Sequence, residues 1–221
     1  MKQVVFDTKK FDSLLCLNSE LPDYVFELYP HIPIIAADGA VFELKKHGLK
    51  ATKVIGDLDS GNRVEIEKLY DSADIIEIAD QETNDFEKCL KWLEHSGMKN
   101  ILILGLHGGL LEHTLNNWSI LMRYGRKLNL CNYELGRYAI PIYDSIKMNC
   151  VQNEVVSLIP NGIVRLTTRN LKWELSDEIL QFSEREGARN VTLGENFEIT
   201  VSEGSFLMFV DSRLPLSPIF L

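Results

Sequence analysis

From its start to about residue 140 the chain alternates short, almost wholly apolar runs with stretches whose apolar residues recur at helical spacing. This alternation constrains the fold more than any other feature. The runs at 13–17, 33–37, 52–56, 74–78 and 100–104 read as strands. They are mostly apolar on both faces, as expected of parallel strands covered by helices on both sides. The stretches at 22–30, 40–48, 62–70, 84–96 and 112–124 supply those helices. Strand–helix alternation of this kind predicts an α/β domain built on a Rossmann-like parallel sheet.

After about residue 142 the helical stretches stop. Runs at 146–151, 154–159, 164–168, 171–175, 196–201 and 205–210 are short and β-rich, with turn signals such as Pro160-Asn-Gly162 and Glu203-Gly204 between them. They predict a small all-β sandwich, so the expected division is 1–142 and 143–221.

Composition narrows the function. Hydrophobic residues make up 45% and charged residues 25%, the balance of a soluble globular protein. A net charge of −9 argues against a general nucleic-acid or acidic-membrane surface. A phosphate-bearing substrate remains open if a cation supplies positive charge locally. The four cysteines are scattered and include no C-x-x-C, which predicts reduced thiols. With no signal-like start and no apolar run of about 18 residues, a cytoplasmic protein without a membrane segment is expected.

Open parallel sheets bind ligands beyond the carboxyl ends of their strands. The acids collect there. Asp38 and Gly39 follow the second run, Asp57 and Asp59 the third, Asp80, Gln81, Glu82 and Asp85 the fourth, and a loop from Gly105 to Glu112 and His113 the fifth. Converging carboxylates repel unless a hard cation sits among them, and Mg²⁺ is commonly held by one or two carboxylates together with substrate phosphates. The pattern predicts Mg²⁺ carrying a nucleoside triphosphate. If the turn after the third run stays extended, Asp57 and Asp59 project to one side and share the ion. Glycines, among them Gly39, Gly56, Gly108 and Gly109, allow backbone to approach phosphate, although no P-loop and no G-x-G-x-x-G is present. Plainer readings stand beside these. Asp38 suits a turn or helix cap, Asn84 an N-cap with Glu87 answering it, Lys88 a helical ion pair with Asp85, His113 a surface position, and Trp173 a core.

The motifs Ala37-Asp-Gly-Ala40, Gly56-Asp-Leu-Asp-Ser60, Asp80-Gln-Glu-Thr-Asn-Asp-Phe-Glu-Lys88, Gly108-Gly-Leu-Leu-Glu-His113 and Asn170-Leu-Lys-Trp-Glu-Leu175 resemble, in order and spacing, those of thiamine pyrophosphokinases. The resemblance runs from about residue 36 to residue 210. It implies pyrophosphoryl transfer from ATP to the thiamine hydroxyl, giving thiamine diphosphate and AMP. It also implies Mg²⁺, a nucleotide-binding α/β domain, a thiamine-binding β-sandwich, and a homodimer with thiamine between subunits. Carried over, Asp57, Asp59 and Asp85 hold the metal. Asp38, Gly39, Gln81, Lys88, Gly108, Gly109 and His113 contact the nucleotide, with Lys88 and Glu112 also in the transfer site. Gln81, Trp173 and Asn190 contact thiamine, the last two from the partner subunit. Proton acceptance falls to Asp85 or Glu112.

The chain departs from the family pattern at several points. Leu110 stands where the family has an Arg that forks onto phosphate, and Glu112 where it has Asp. Asn84 replaces a Thr, Ala40 a Gly, and Arg189 a Ser. Arg189 and His107 are the candidate substitutes for the lost cation. Other acceptors, such as a hydroxymethylpterin, or a binding protein without turnover, are the competing functions.

Overall fold

The computed structural model describes residues 1–58 and 63–221, apart from the side chains at positions 7, 8 and 73. In chain order the strands and helices are β1 (Lys2–Lys10), β2 (Ser13–Cys16), α1 (Asp23–Glu27), β3 (Ile34–Ala37), α2 (Ala40–Lys46), β4 (Lys53–Gly56), α3 (Arg63–Leu69), β5 (Ile75–Glu77), α4 (Asp85–His95), β6 (Asn100–Leu104), α5 (Leu111–Tyr124) and β7 (Asn129–Glu134). Nine further strands follow: β8 (Arg137–Ile142), β9 (Ile146–Asn149), β10 (Val155–Pro160), β11 (Ile163–Arg169), β12 (Glu178–Gln181), β13 (Gly187–Val191), β14 (Asn196–Glu203), β15 (Phe206–Asp211) and β16 (Leu216–Phe220). No helix among the described residues is long and apolar enough to cross a membrane.

The chain forms two compact units, Phe11–Asn132 and Met1–Lys10 with Tyr133–Leu221. These bounds differ from the expected division at 142/143. Strand β1 lies in the second unit because it pairs there with β9 and β16, and β8 belongs with it through its pairing to β15. Neither strand carries a local signal that says which sheet it joins.

In the first unit the strand order is β7-β6-β2-β3-β4-β5, and every pairing is parallel. Strands β2 and β6 are buried at every position, which explains their apolar runs. Helix α4 packs on β3 and β4 through a buried stripe containing Phe86, Cys89, Leu90 and Leu93, at the 3–4 spacing of an amphipathic helix. Because all strands run the same way, the loops after β2, β3, β4 and β6 open on one edge of the sheet.

The second unit is all-β, with strand orders β12-β11-β14-β9-β1-β16 and β13-β10-β15-β8. Burial alternates along β10 and β11, where Val156 and Leu158, then Val164 and Leu166, point inward. These strands have one wet face, unlike β2 and β6. The expected strand at 171–175 is only an isolated bridge, Leu171 to Thr192, and Trp173 is 56% exposed rather than core.

Candidate active site

The strand-end loops of the first unit enclose a cleft of about 730 Å³. Asp38, Gly39, Asp57, Gln81, Asp85, Lys88, Gly108, Gly109, Glu112 and His113 all line it. Ten positions predicted from sequence thus share one cavity.

Its floor is a carboxylate cluster. Asp38, Asp57 and Asp85 each offer one oxygen, and these oxygens lie within 4.8 Å of one another. Asp38 follows β3 with a φ of 30°, is 5% exposed, and its backbone N–H donates to Ile55 O. Asp57 follows β4, and Asp85 opens α4. Gly56 makes their approach feasible, since a Cβ there would sit 2.8 Å from Asp38 Cβ and 3.2 Å from Asp85 Oδ1. Leu58 has a φ of 58°, so the turn after β4 is not extended. The predicted metal ligand Asp59 lies outside the described residues.

Lys88 anchors the cluster. It is 1% exposed, and its Nζ donates to Asp57 Oδ2 at 2.8 Å and Asp85 Oδ1 at 3.0 Å. Burial alone would lower its pKa, but the hydrogen bonds and charges of Asp57 and Asp85 outweigh that and raise it. Lys88 is therefore charged at neutral pH, and its ammonium is engaged by carboxylates. Even so, the lining holds Asp38, Asp57, Glu82, Asp85 and Glu112 against this one lysine. A polyphosphate entering such a cleft needs additional positive charge. Three clustered oxygen donors with no thiolate or imidazole among them suit a hard divalent cation such as Mg²⁺.

The surrounding loops hold this arrangement in place. Asp80 Oδ1 accepts from the Glu82 N–H at 2.9 Å and its Oδ2 from Thr83 Oγ1 at 2.8 Å, closing the turn into α4. Those bonds, the Glu82 N–H first, hold Asp80 below the usual carboxylate range. Asn84 caps α4, its side chain accepting from the Glu87 N–H at 3.0 Å. The expected reciprocal bond from Glu87 is absent among the described residues. Its carboxylate instead accepts from Arg123 and Tyr124 on α5. Gln81 Nε2 reaches Asp57 Oδ2 at 3.4 Å. Across the cleft, Gly108 has a φ of 148° and packs on Ser19, where a Cβ would fall 2.2 Å from Oγ.

The remaining predicted residues lie in the other unit. Asn190 Oδ1 accepts from the Trp173 N–H at 3.1 Å, and Asn190 Nδ2 donates to Trp173 O at 2.7 Å. Asn190 thus fixes the backbone beneath an exposed indole, over which Lys172 Nζ lies 4.8 Å from the ring centroid. Of the candidate substitutes for the missing Arg, His107 packs edge-on against Trp118, and Arg189 makes no side-chain ion pair among the described residues. Leu110 is 60% exposed at the start of α5.

Sequence reasoning passed over Asn18, Asn116 and Asn117, which also line the cleft. Asn18 had a usable signal, because it follows the first predicted strand at the same sheet edge. Asn117 had none beyond lying in a helix after a glycine loop.

Comparison with known proteins places this geometry. Residues 29–132 match the family described as thiamin pyrophosphokinase, catalytic domain, and residues 144–206 match thiamin pyrophosphokinase, vitamin B1 binding domain. Thiamine pyrophosphokinase 2 of Arabidopsis thaliana is 27% identical over 235 residues, covering 90% of this chain and 85% of the relative. Thiamine pyrophosphokinase 3 of Oryza sativa subsp. japonica is 25% identical, covering 90% and 86%. In fold, thiamin pyrophosphokinase from Candida albicans superposes with a TM-score of 0.75 at 14% identity, covering 96% of this chain and 99% of that one. The Bacillus subtilis enzyme gives 0.74 at 19%, covering 91% and 100%.

Proposed function

The chain belongs to the thiamin pyrophosphokinase family, and on that premise we propose that its cleft moves the β,γ-pyrophosphoryl group of ATP onto the hydroxyl of thiamine. The observation that carries this reading is the Asp38–Asp57–Asp85 cluster on the cleft floor, inside the segment that matches the catalytic domain. In this reading 11–132 are a Rossmann-like nucleotide domain, and the remainder is a thiamine-binding β-sandwich.

Asp38, Asp57 and Asp85 would hold Mg²⁺, with Asp59 as a further ligand candidate, and the ion would supply the charge that neutralises the triphosphate. Lys88 keeps two of those carboxylates ionised and aimed. Gly108 and Gly109 let backbone approach the phosphates, and Asp38-Gly39, Gln81 and His113 line the nucleotide side. Such positioning and charge neutralisation is most of what phosphoryl transfer asks of a protein.

The thiamine oxygen attacks the β-phosphorus, the bond from that phosphorus to the α,β-bridging oxygen breaks, and AMP departs with that oxygen. The hydroxyl proton goes to Glu112. Asp85 is already bound to Lys88, whereas Glu112 makes no ion pair among the described residues and is exposed in the cleft. A cationic thiazolium suits the exposed face of Trp173, with Asn190 beneath it, presented by the partner copy of a cytoplasmic homodimer.

The test is to incubate the protein with thiamine, ATP and Mg²⁺ and to separate the products. Thiamine diphosphate and AMP in equal amounts, lost on chelation and reduced about a hundredfold or more in Asp57→Asn, are expected. ADP with thiamine monophosphate would overturn the assigned phosphorus. AMP formed only with another alcohol, such as a hydroxymethylpterin, would overturn the acceptor. Ligand binding with no product would leave a binding protein.

A further inference from the structure

Two side-chain amides bridge α4 to the loop that follows β6. Asn84 Oδ1 accepts from the Glu87 N–H at 3.0 Å. Asn84 Nδ2 donates to Asn117 Oδ1 at 3.2 Å, and Asn117 Nδ2 donates to Leu106 O at 3.3 Å. The direction of this relay is set by its ends. A backbone N–H can only donate and a backbone carbonyl can only accept. Each link between them must therefore accept on one side and donate on the other, as a carboxamide does.

What the relay joins is the chemistry. The first turn of α4 carries Asp85 and, one turn on, Lys88. Leu106 is 1% exposed and lies two residues before Gly108, whose backbone is locked against Ser19. Asn84 and Asn117 sit on the cleft wall between these two walls of the site. A second tie from the same turn, Glu87 to Arg123 and Tyr124, also joins α4 to α5. The amides add the link from that turn to the backbone of the loop after β6.

We propose that Asn117 is a positioning residue. It acts through Asn84 to hold Asp85 in register with the glycine loop, and so sets the geometry in which the carboxylates receive a divalent cation. This inference rests on the proposed function for the identity of the reaction, but not for its test.

The experiment is a double-mutant cycle. Asn84→Ser keeps an N-cap acceptor but is too short to reach Asn117. Asn117→Leu keeps the side-chain shape and removes both polar groups. Wild type, the two single variants and the double variant are compared in Mn²⁺ binding without substrate, followed by the electron paramagnetic resonance of free Mn²⁺. AMP formation and thermal unfolding are measured in parallel. Each single variant is expected to bind Mn²⁺ about tenfold more weakly and to lose a similar factor in kcat. The double variant should be no worse than the worse single, because one relay is being cut twice.

Additive losses would show two residues acting separately and would overturn the proposal. A lowered unfolding temperature with unchanged Mn²⁺ affinity would reduce the relay to a structural tie and overturn it as well. A wild-type protein that binds Mn²⁺ but forms no AMP would defeat the proposed reaction, while the cycle in Mn²⁺ affinity would still decide this one.

Discussion

Lys88→Met tests the electrostatic logic of the cleft floor. In the native protein one buried ammonium lies 2.8 Å from Asp57 and 3.0 Å from Asp85, with side-chain exposures of 1%, 14% and 31%. Removing it leaves three carboxylates whose oxygens lie within 4.8 Å. At an effective dielectric of about 20, two unit charges at that separation repel by about 3.5 kcal/mol. Breaking a buried pair by deleting one partner costs about 3–5 kcal/mol. In chelator, with a urea dependence of about 2 kcal/mol per molar, the unfolding midpoint should fall by about 2 M. Adding Mg²⁺ to about 100 times its dissociation constant should return about 2.7 kcal/mol, because a divalent ion then takes over the charge balance. Wild type should gain less, since Lys88 already balances much of that charge. Asp57→Asn in the Lys88→Met background should recover part of the loss without metal. A midpoint within 0.3 M or so of wild type in chelator, or an equal Mg²⁺ gain in both proteins, would refute the reasoning.

Three other outcomes are expected. Burial pushes all four thiols up, but Cys16, Cys89 and Cys131 are also closed off from solvent, so the half-buried Cys150 should react first with a thiol reagent near pH 8. Four thiols should react after unfolding. The Tyr124 hydroxyl is pushed up to about 12, by burial first and then by its hydrogen bond to Glu87. The folded state therefore holds that proton more tightly than the unfolded one, whose phenol titrates near 10. The associated stability is complete below pH about 10 and is lost as pH rises toward 12. Urea midpoints across that range should fall less steeply in Tyr124→Phe than in wild type. Trp173→Ala should raise the KM for thiamine about tenfold while changing stability by less than about 0.5 kcal/mol, because the indole is 56% exposed. A collapse of stability with unchanged KM would make Trp173 a structural residue.

The strands at 13–17, 33–37, 52–56 and 100–104 were legible because burial on both faces favours an apolar run, the edge strand at 74–78 by its isoleucines, and the structure places β2 to β6 within a residue or so of those bounds. The acids at the strand ends were legible because a parallel sheet collects its loops on one edge. Strands β1, β7, β8, β12, β13 and β16 were not. Of these, β1, β12, β13 and β16 are edge or half-exposed segments whose polar faces resemble loop sequence, whereas β7 and β8 are largely buried and lie where the helical pattern gives way to the β-rich one.

The architecture class, the family and the loops that line the cleft could be read from the sequence, since these follow from local periodicity and from motifs within a few residues of each other. Tertiary structure alone decided that Asp38 joins Asp57 and Asp85 in one cluster and that Lys88 is spent on those carboxylates. It also decided that the first ten residues belong to the β unit, and that Asn117 reaches Asn84, 33 residues away in sequence. Each of those depends on distances between segments remote in the chain. Such distances are fixed by sheet order and helix packing, which no local run of residues encodes.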